Sequence, residues 1–304
     1  MTNGSNNSLR DAIRHSMLEL LDDGGSVFGQ NLTDVGWVAN TIPAIQHPGY
    51  CELPISEVGG VGLAVGSALA NRPSVYISRY HGYLWLNLAP IATYVAPSGS
   101  AFGIQQFPFM LRAIADNGSL GPIAGGSWLS LLNQVPDVKL VAPIYPQDWE
   151  LIWREWIAER RPVIVAEHRQ TYDLGDPQPR SVDHERLPIV SISGAALVVP
   201  ELERLMEMEG QPIQAYRQLN IRPLIFEEDF LEHVVTTGRA VVLDPGRRDL
   251  GLSQLIAFEL ERRSGARVLA LGLQHGWQGY AQGLVTDLKQ AEAAREEIRA
   301  WLKD

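Results

Sequence analysis

The strongest constraint on the fold of this 304-residue chain is an alternation along its length. Apolar, β-rich runs ("SVFGQNL", "RPSVYISRY", "QFPFMLRAIADNG", "DVKLVAPI", "RPVIVAEH") are separated by segments with helical spacing. Leu9 to Leu21 carries Ile13, Met17, Leu18 and Leu21 at helical intervals and stops at Asp22-Asp23-Gly24-Gly25. "LWLNLAPIATYVA" reads as a buried helix kinked near Pro90, and an acidic, Trp-rich helix runs from about Asp148 to Glu159. Asn117-Gly118 marks a turn. Strands that alternate with helices build a parallel α/β sheet.

"TYDLGDPQPRSVDHERLP" interrupts the pattern with a polar, Pro- and Asp-rich stretch, which places a linker near residues 173–188. The alternation then restarts. "PIVSISGAALVV" gives a strand and turn, "PELERLMEMEG" a helix, and "IQAYRQLNIRPL" a strand. "EEDFLEHVVTTG" and "LSQLIAFELERRSG" are helices, "RAVVLDPG" and "ARVLALGL" strands, and "DLKQAEAAREEIRAWLKD" a terminal helix. The expected fold class is α/β, two doubly wound sheet domains, at residues 1–180 and 181–304.

A net charge of −10 argues against a broad basic face for nucleic acid. A single cysteine, Cys51, rules out a disulfide framework and fits a reducing compartment. Met1 to Ser8 lacks the apolar core of a signal peptide, and no apolar run is long enough to span a bilayer. The expectation is a cytoplasmic protein that engages neither nucleic acid nor membrane.

"ELPISEVGGVGLAVGSALANRP" is a poor helix by composition. Ser56 looks like a cap, Glu57 follows, and then come Gly59, Gly60, Gly62 and Gly66. Each Gly in place of Ala costs a helix about 0.8–1 kcal/mol. Gly59, Gly62, Gly66 and Ala70 share a face at spacings of three or four, which lets another backbone approach closely. The same spacing equally describes a buried structural helix whose Glu57 complements the N-terminal dipole.

The longer stretch "LPISEVGGVGLAVGSALANRPSVYISRY" resembles the pyrimidine-binding segment of the β subunit of pyruvate and branched-chain 2-oxoacid dehydrogenases, of the transketolase-like superfamily. "DNGSLGPIAGGS" stands at the family's Gly-rich loop, and the segment ending in "AEHRQTYD" is similar to its strand–helix–strand unit. "LNIRPLIFEEDFLEHVVTTGRAVVLDPG" is similar to the transketolase C-terminal domain. The resemblance runs from about Leu9 to the end. It implies a transketolase-like pyrimidine-binding domain followed by a transketolase C-terminal domain, and a cofactor, thiamine diphosphate. The carboxylate matching Glu57 then hydrogen-bonds a ring nitrogen of the aminopyrimidine and exchanges a proton with it, which is general acid–base work.

The family's Gly-Asp-Gly and downstream Asn, which supply oxygen ligands to Mg²⁺, have no match; Gly175-Asp176-Pro177 carries Pro in place of the second glycine. The resemblance therefore implies that an α subunit holds most of the diphosphate and metal, in an α2β2 assembly, with no metal ligand from this chain. Two departures fall at the substrate end. Gly126, next to Ser127, stands where the family carries a histidine, and Gln30 in "FGQN" stands where it carries an acid. In "SRYHGYLW", Tyr80 and Tyr83 flank the family's stacking position, which an ungapped match gives to Gly82. Both tyrosines also fit a core. His81 is a candidate for the lost histidine, and Arg79 for a substrate carboxylate or an interface salt bridge. His168, Trp149, Trp153, Trp156 and Cys51 read as structural, and Glu227-Glu228-Asp229 as a helix start.

The expected function is the β-type chain of a two-component enzyme that acts on a 2-oxo acid or ketose by decarboxylation or by ketol or acyl transfer. The loss of the histidine argues against a standard lipoyl-linked dehydrogenase. The alternative is a degenerate, non-catalytic paralogue that serves as a structural or regulatory partner.

Overall fold

Strands buried on both faces need helices on both sides of their sheet. The computed structural model describes residues 8–34, 36–116, 124, 126–274 and 287–303; the Asn117-Gly118 turn lies outside them. Among these residues the strands are β1 (Ser26–Gly29), β2 (Tyr50–Glu52), β3 (Ser74–Ser78), β4 (Phe109–Ala115), β5 (Lys139–Val141), β6 (Val163–His168), β7 (Leu187–Ser191), β8 (Ile213–Arg217), β9 (Asn220–Arg222), β10 (Arg239–Arg247) and β11 (Arg267–Gln274). A seven-stranded sheet runs β2-β1-β3-β4-β6-β5-β9, and a four-stranded sheet runs β11-β10-β7-β8. All these strand pairs are parallel except β5 with β9.

The period of two along the strands sorts side chains between cores. On β3, Tyr76 enters one core while Val75 and Ile77 enter another; on β4, Phe109, Leu111 and Ala113 oppose Met110 and Ile114. The helices Leu9–Asp22 and Pro146–Glu159 close the second of these cores. There Trp149 Nε1 donates to Ser16 Oγ (3.0 Å) and Trp153 Nε1 to Glu19 (2.8 Å), so the tryptophans pack one helix on the other. The core on the Tyr76 side continues into the smaller sheet through Val190, Val242, Phe230 and Ile256, so the two sheets share it. Helices Val199–Met208 and Asp287–Lys303 cover the remaining face. No helix among the described residues is long and apolar enough to cross a membrane.

Two expected elements differ. The segment after Tyr83 is a helix, Leu84–Pro90, that widens into a π-helical turn, Ile91–Val95, at the predicted kink. It is not buried all round: Trp85, Leu86 and Tyr94 are each more than half exposed. "IQAYRQLNIRPL" is two strands in different sheets. Buried Gln218 makes the crossing possible, donating from Nε2 to the carbonyls of Asn220 (2.6 Å) and Ile225 (2.8 Å). Arg222 then fastens β9 to the larger sheet through the carbonyls of Val138, Leu132 and Asn133.

Adjacent strands β4 and β6 carry a fully buried ion pair, Arg112 with Glu167. Nε and Nη2 of the arginine donate to the two carboxylate oxygens (2.7 and 2.8 Å), Nη2 also to Thr41 Oγ1 (2.9 Å), and Tyr172 Oη donates to Glu167 (2.7 Å). Burial is the largest influence and pulls the guanidinium down, but the charge and hydrogen bonds of Glu167 together with Tyr172 outweigh it and leave Arg112 above its ordinary value. His81 is fully buried: Nε2 donates to Ala113 O (3.1 Å) and Nδ1 accepts from the Trp128 amide (3.1 Å), which sets the neutral tautomer. His168 presses against Gly194, where a Cβ would lie 2.4 Å from the ring, so the contact between the two halves needs glycine there. Burial lowers both histidines to about 4.

Glu167→Gln leaves a buried guanidinium uncompensated and is expected to cost about 3–5 kcal/mol in urea unfolding; a loss under about 1 kcal/mol would contradict the network. A histidine whose folded pKa is depressed stabilises the fold fully above its ordinary value of 6.5 and loses that contribution as pH falls through about 4. Over that window the stability of His81→Asn, which keeps one donor and one acceptor, should fall by about 2–3 kcal/mol less than that of the native chain. Equal falls would show that His81 is not held neutral.

Candidate active site

The glycine-rich segment forms a helix, Glu57–Leu69, that lies on β3. Ser56 occupies the cap position but makes no capping hydrogen bond; its Oγ leans on Gly59, where a Cβ would sit 2.7 Å away. Gly60 faces inward, and a Cβ there would meet Leu53 at 3.1 Å and Tyr76 Oη at 3.2 Å. Gly62 and Gly66 have nothing within 4 Å of that position. Glycine thus serves close packing within the chain at the helix tip and leaves an open face further along. Exposed Ile55, Val58, Leu63 and Leu69 flank that face.

Buried Asn87 fixes the tip. Its Nδ2 donates to the Glu57 carbonyl (3.1 Å), and its Oδ1 accepts from Ser78 Oγ (2.8 Å) at the end of β3. The Glu57 carboxylate, half-buried, therefore stands beyond the carboxyl ends of β1 and β3, where open α/β sheets bind ligands. A cavity of about 230 Å³ opens there, lined by Glu57, Tyr76, Asn87, Gln30, Arg79, Tyr80 and Tyr83 among others. The Tyr80 and Tyr83 rings lie 5.8 Å apart at 50°. Burial pushes the Tyr76 phenol up to about 12, and the Glu57 charge adds to the rise. Arg79, only 8% exposed, donates from Nη1 to Asn31 O (2.7 Å), and burial pulls its guanidinium below the ordinary value. Arg169 stacks over the Tyr80 ring at 5.4 Å.

Five of the residues expected at the site, Glu57, Gln30, Arg79, Tyr80 and Tyr83, meet at this cavity. His81, expected to be catalytic, does not line it, because both ring nitrogens are taken up by backbone partners in the core. Gly126 and Ser127, expected at the substrate, are also off its wall. Gly126 has φ +103°, a conformation that disfavours any residue with a Cβ, and the Ser127 carbonyl abuts Gly246 of the second half. A side chain at residue 126 would be strained. Sequence reasoning missed Tyr76, hidden in a strand, and Asn87, whose signal was a lone amide in the apolar run "LWLNLAP". Among the described residues no three His, Cys, Asp or Glu side chains come together as a metal would require.

Comparison with known proteins places this geometry. Residues 6–174 match the family described as the transketolase pyrimidine-binding domain. The chain is 24% identical over 279 residues to the pyruvate dehydrogenase E1 component subunit beta of Staphylococcus epidermidis, and 23% identical to that of Staphylococcus aureus, at 84% coverage of each chain. Its fold is similar to a split-gene transketolase solved as an inactive β4 tetramer, with a TM-score of 0.68 at 14% identity over 95% of this chain and 98% of that one. It is also similar to transketolase from Campylobacter jejuni, with a TM-score of 0.71 at 12% identity, where it spans 46% of the longer chain. With the family matched from before the first described helix to beyond β6, the chain belongs to the transketolase pyrimidine-binding domain family.

Proposed function

We propose that this chain is the β-type half of a two-component thiamine diphosphate enzyme that acts on a 2-oxo acid or ketose. The observation that carries the reading is the Glu57 carboxylate held at the helix tip on the wall of a cavity faced by two tyrosine rings. The residues fit the flat aminopyrimidine end of the cofactor. Tyr80 and Tyr83 offer aromatic faces, Gln30 lines the cavity beside Tyr76, and Gly60 keeps the helix close against Tyr76. When bound, the cofactor supplies a nucleophilic thiazolium carbon that attacks a carbonyl. Glu57 holds or releases the proton at the pyrimidine ring nitrogen, and Asn87 keeps the carboxylate's helix in register with β3.

Half-buried Glu57 and the open glycine face both leave room for a partner chain. The helices Glu57–Leu69 and Leu84–Pro90 pack together and present Val58, Leu63, Trp85 and Leu86 outward. In this reading an α chain covers that surface, holds most of the diphosphate and Mg²⁺, and completes an α2β2 assembly. The curated relatives are beta subunits, and one structural neighbour is an inactive tetramer of β chains alone. The second reading, a non-catalytic paralogue, is favoured by the substrate end, where His81 is locked in the core and Gly126 has no side chain.

Glu57→Gln, co-expressed with the α partner, separates the two. Catalysis requires turnover to fall by about 10²-fold or more with assembly intact, whereas unchanged turnover supports the paralogue. The absent histidine further predicts turnover on an aldehyde acceptor without any lipoyl protein; strict dependence on a lipoyl domain would contradict it.

A further inference from the structure

The Glu57 side chain is half-buried, yet among the described residues no donor or cation holds its carboxylate; Asn87 bonds only its carbonyl. A carboxylate fixed through its backbone alone still turns about its side-chain torsions, whereas proton transfer needs one oxygen held in place. Tyr76 brings a hydroxyl to the same cavity wall. The residue is 2% exposed, and Oη lies 3.2 Å from where a Cβ of Gly60 would stand, within the first turn of the helix that Glu57 opens. Asn87 and, more weakly, Gln30 bond the phenol through their side chains, and both bonds draw it down, as donors to its oxygen do. Asn87 has the hydrogen to give, because Nδ2 carries two and one goes to Glu57 O. With its oxygen accepting from amides, the phenol keeps its own O–H to donate. Burial and the Glu57 charge push it up to about 12, so it stays a neutral donor and does not become a second anion beside the carboxylate.

We propose that Tyr76 is the positioning residue for Glu57: its hydroxyl donates to one carboxylate oxygen and leaves the other to meet the ligand's ring nitrogen. The bond is open in this structure, and a turn of the Glu57 side chain toward β3 closes it, since the two groups already lie within electrostatic reach. A donor on one oxygen also favours the ionised, proton-accepting form of the carboxyl. The inference rests on the enzymatic reading of the same cavity and adds the residue that aims its acid–base group. Asn87 then registers two things at once, the helix tip through the Glu57 carbonyl and the phenol through its second amide hydrogen.

Tyr76→Phe removes the oxygen and keeps the ring that fills the shared core. Carbon-13 NMR of the full chain, labelled at the glutamate carboxyls, identifies Glu57 as the signal missing from Glu57→Gln. In Tyr76→Phe that signal is expected to titrate at higher pH than in the native chain, because a donor to the charged form has been lost. The other charged or titratable groups on the cavity wall, Arg79, Tyr80 and Tyr83, with Glu52 and Arg169 behind Arg79, are the same in both chains, so the shift belongs to the hydroxyl. In the enzyme assembled with its α partner, the acid limb of the kcat profile should move in the same direction, and kcat should fall by about 10-fold or more with KM little changed. A Glu57 signal that titrates as in the native chain overturns the proposal, and the hydroxyl then serves only Asn87 and Gln30. A lowered unfolding midpoint with both pH readouts unmoved likewise makes Tyr76 structural. Turnover of Glu57→Gln keeps the two readings apart. If that turnover is unchanged while the carboxyl signal moves in Tyr76→Phe, the enzymatic reading fails and the tie between the two side chains stands; if turnover is lost and the signal does not move, the tie alone fails.

Discussion

The placement of the Glu57 carboxylate depends on how closely one glycine-rich helix can lie on one strand. Gly60 lacks the Cβ that would press on Tyr76, and Asn87 bonds the helix tip to Ser78 at the strand end. A methyl group at residue 60 would press on Leu53 and on the Tyr76 ring, both part of or packed against the larger shared core. The helix accepts low intrinsic propensity in exchange for that approach, and the burial of Val61, Ala64, Val65 and Ala68 on its inner side offsets the loss.

Below this tip, the polar groups that a sheet interior would ordinarily exclude are all arranged to hold the strand ends still. The Arg112–Glu167 pair ties β4 to β6, and Tyr172 and Thr41 add further bonds to it. His81 ties the segment after β3 to β4 and to the loop before the helix Leu129–Leu132. Apart from Arg112 Nη1, these groups find their partners within the fold, so they rigidify the floor. Arg79 and Gln30, by contrast, lie on the cavity wall.

The strand–helix alternation was legible because local period decides it, and the β-rich runs of the first half became β1, β3, β4, β5 and β6. The crossing at Gln218 was not legible, since a continuous apolar run gives no sign of which sheet each half joins; that is settled by Gln218 and Arg222 bonding distant carbonyls. The helix after Tyr83 looked buried for the same reason: its composition is apolar, but exposure depends on what packs against it, and Trp85 and Leu86 meet solvent in this chain. Glu57, Tyr80 and Tyr83 could be found from motif spacing. His81 could not be judged, because its ring partners, Ala113 O and the Trp128 amide, are backbone atoms that no residue identity reveals. Gly126 showed in sequence that a side chain was missing, and only the structure shows that its positive φ disfavours one there.

The most direct measurement is the structure of the assembled oligomer with thiamine diphosphate bound. The account places a Glu57 carboxylate oxygen about 2.6–3.2 Å from an aminopyrimidine ring nitrogen, with the cofactor's diphosphate held by the other chain. A coenzyme bound elsewhere, or Glu57 turned into a protein contact away from it, would contradict it.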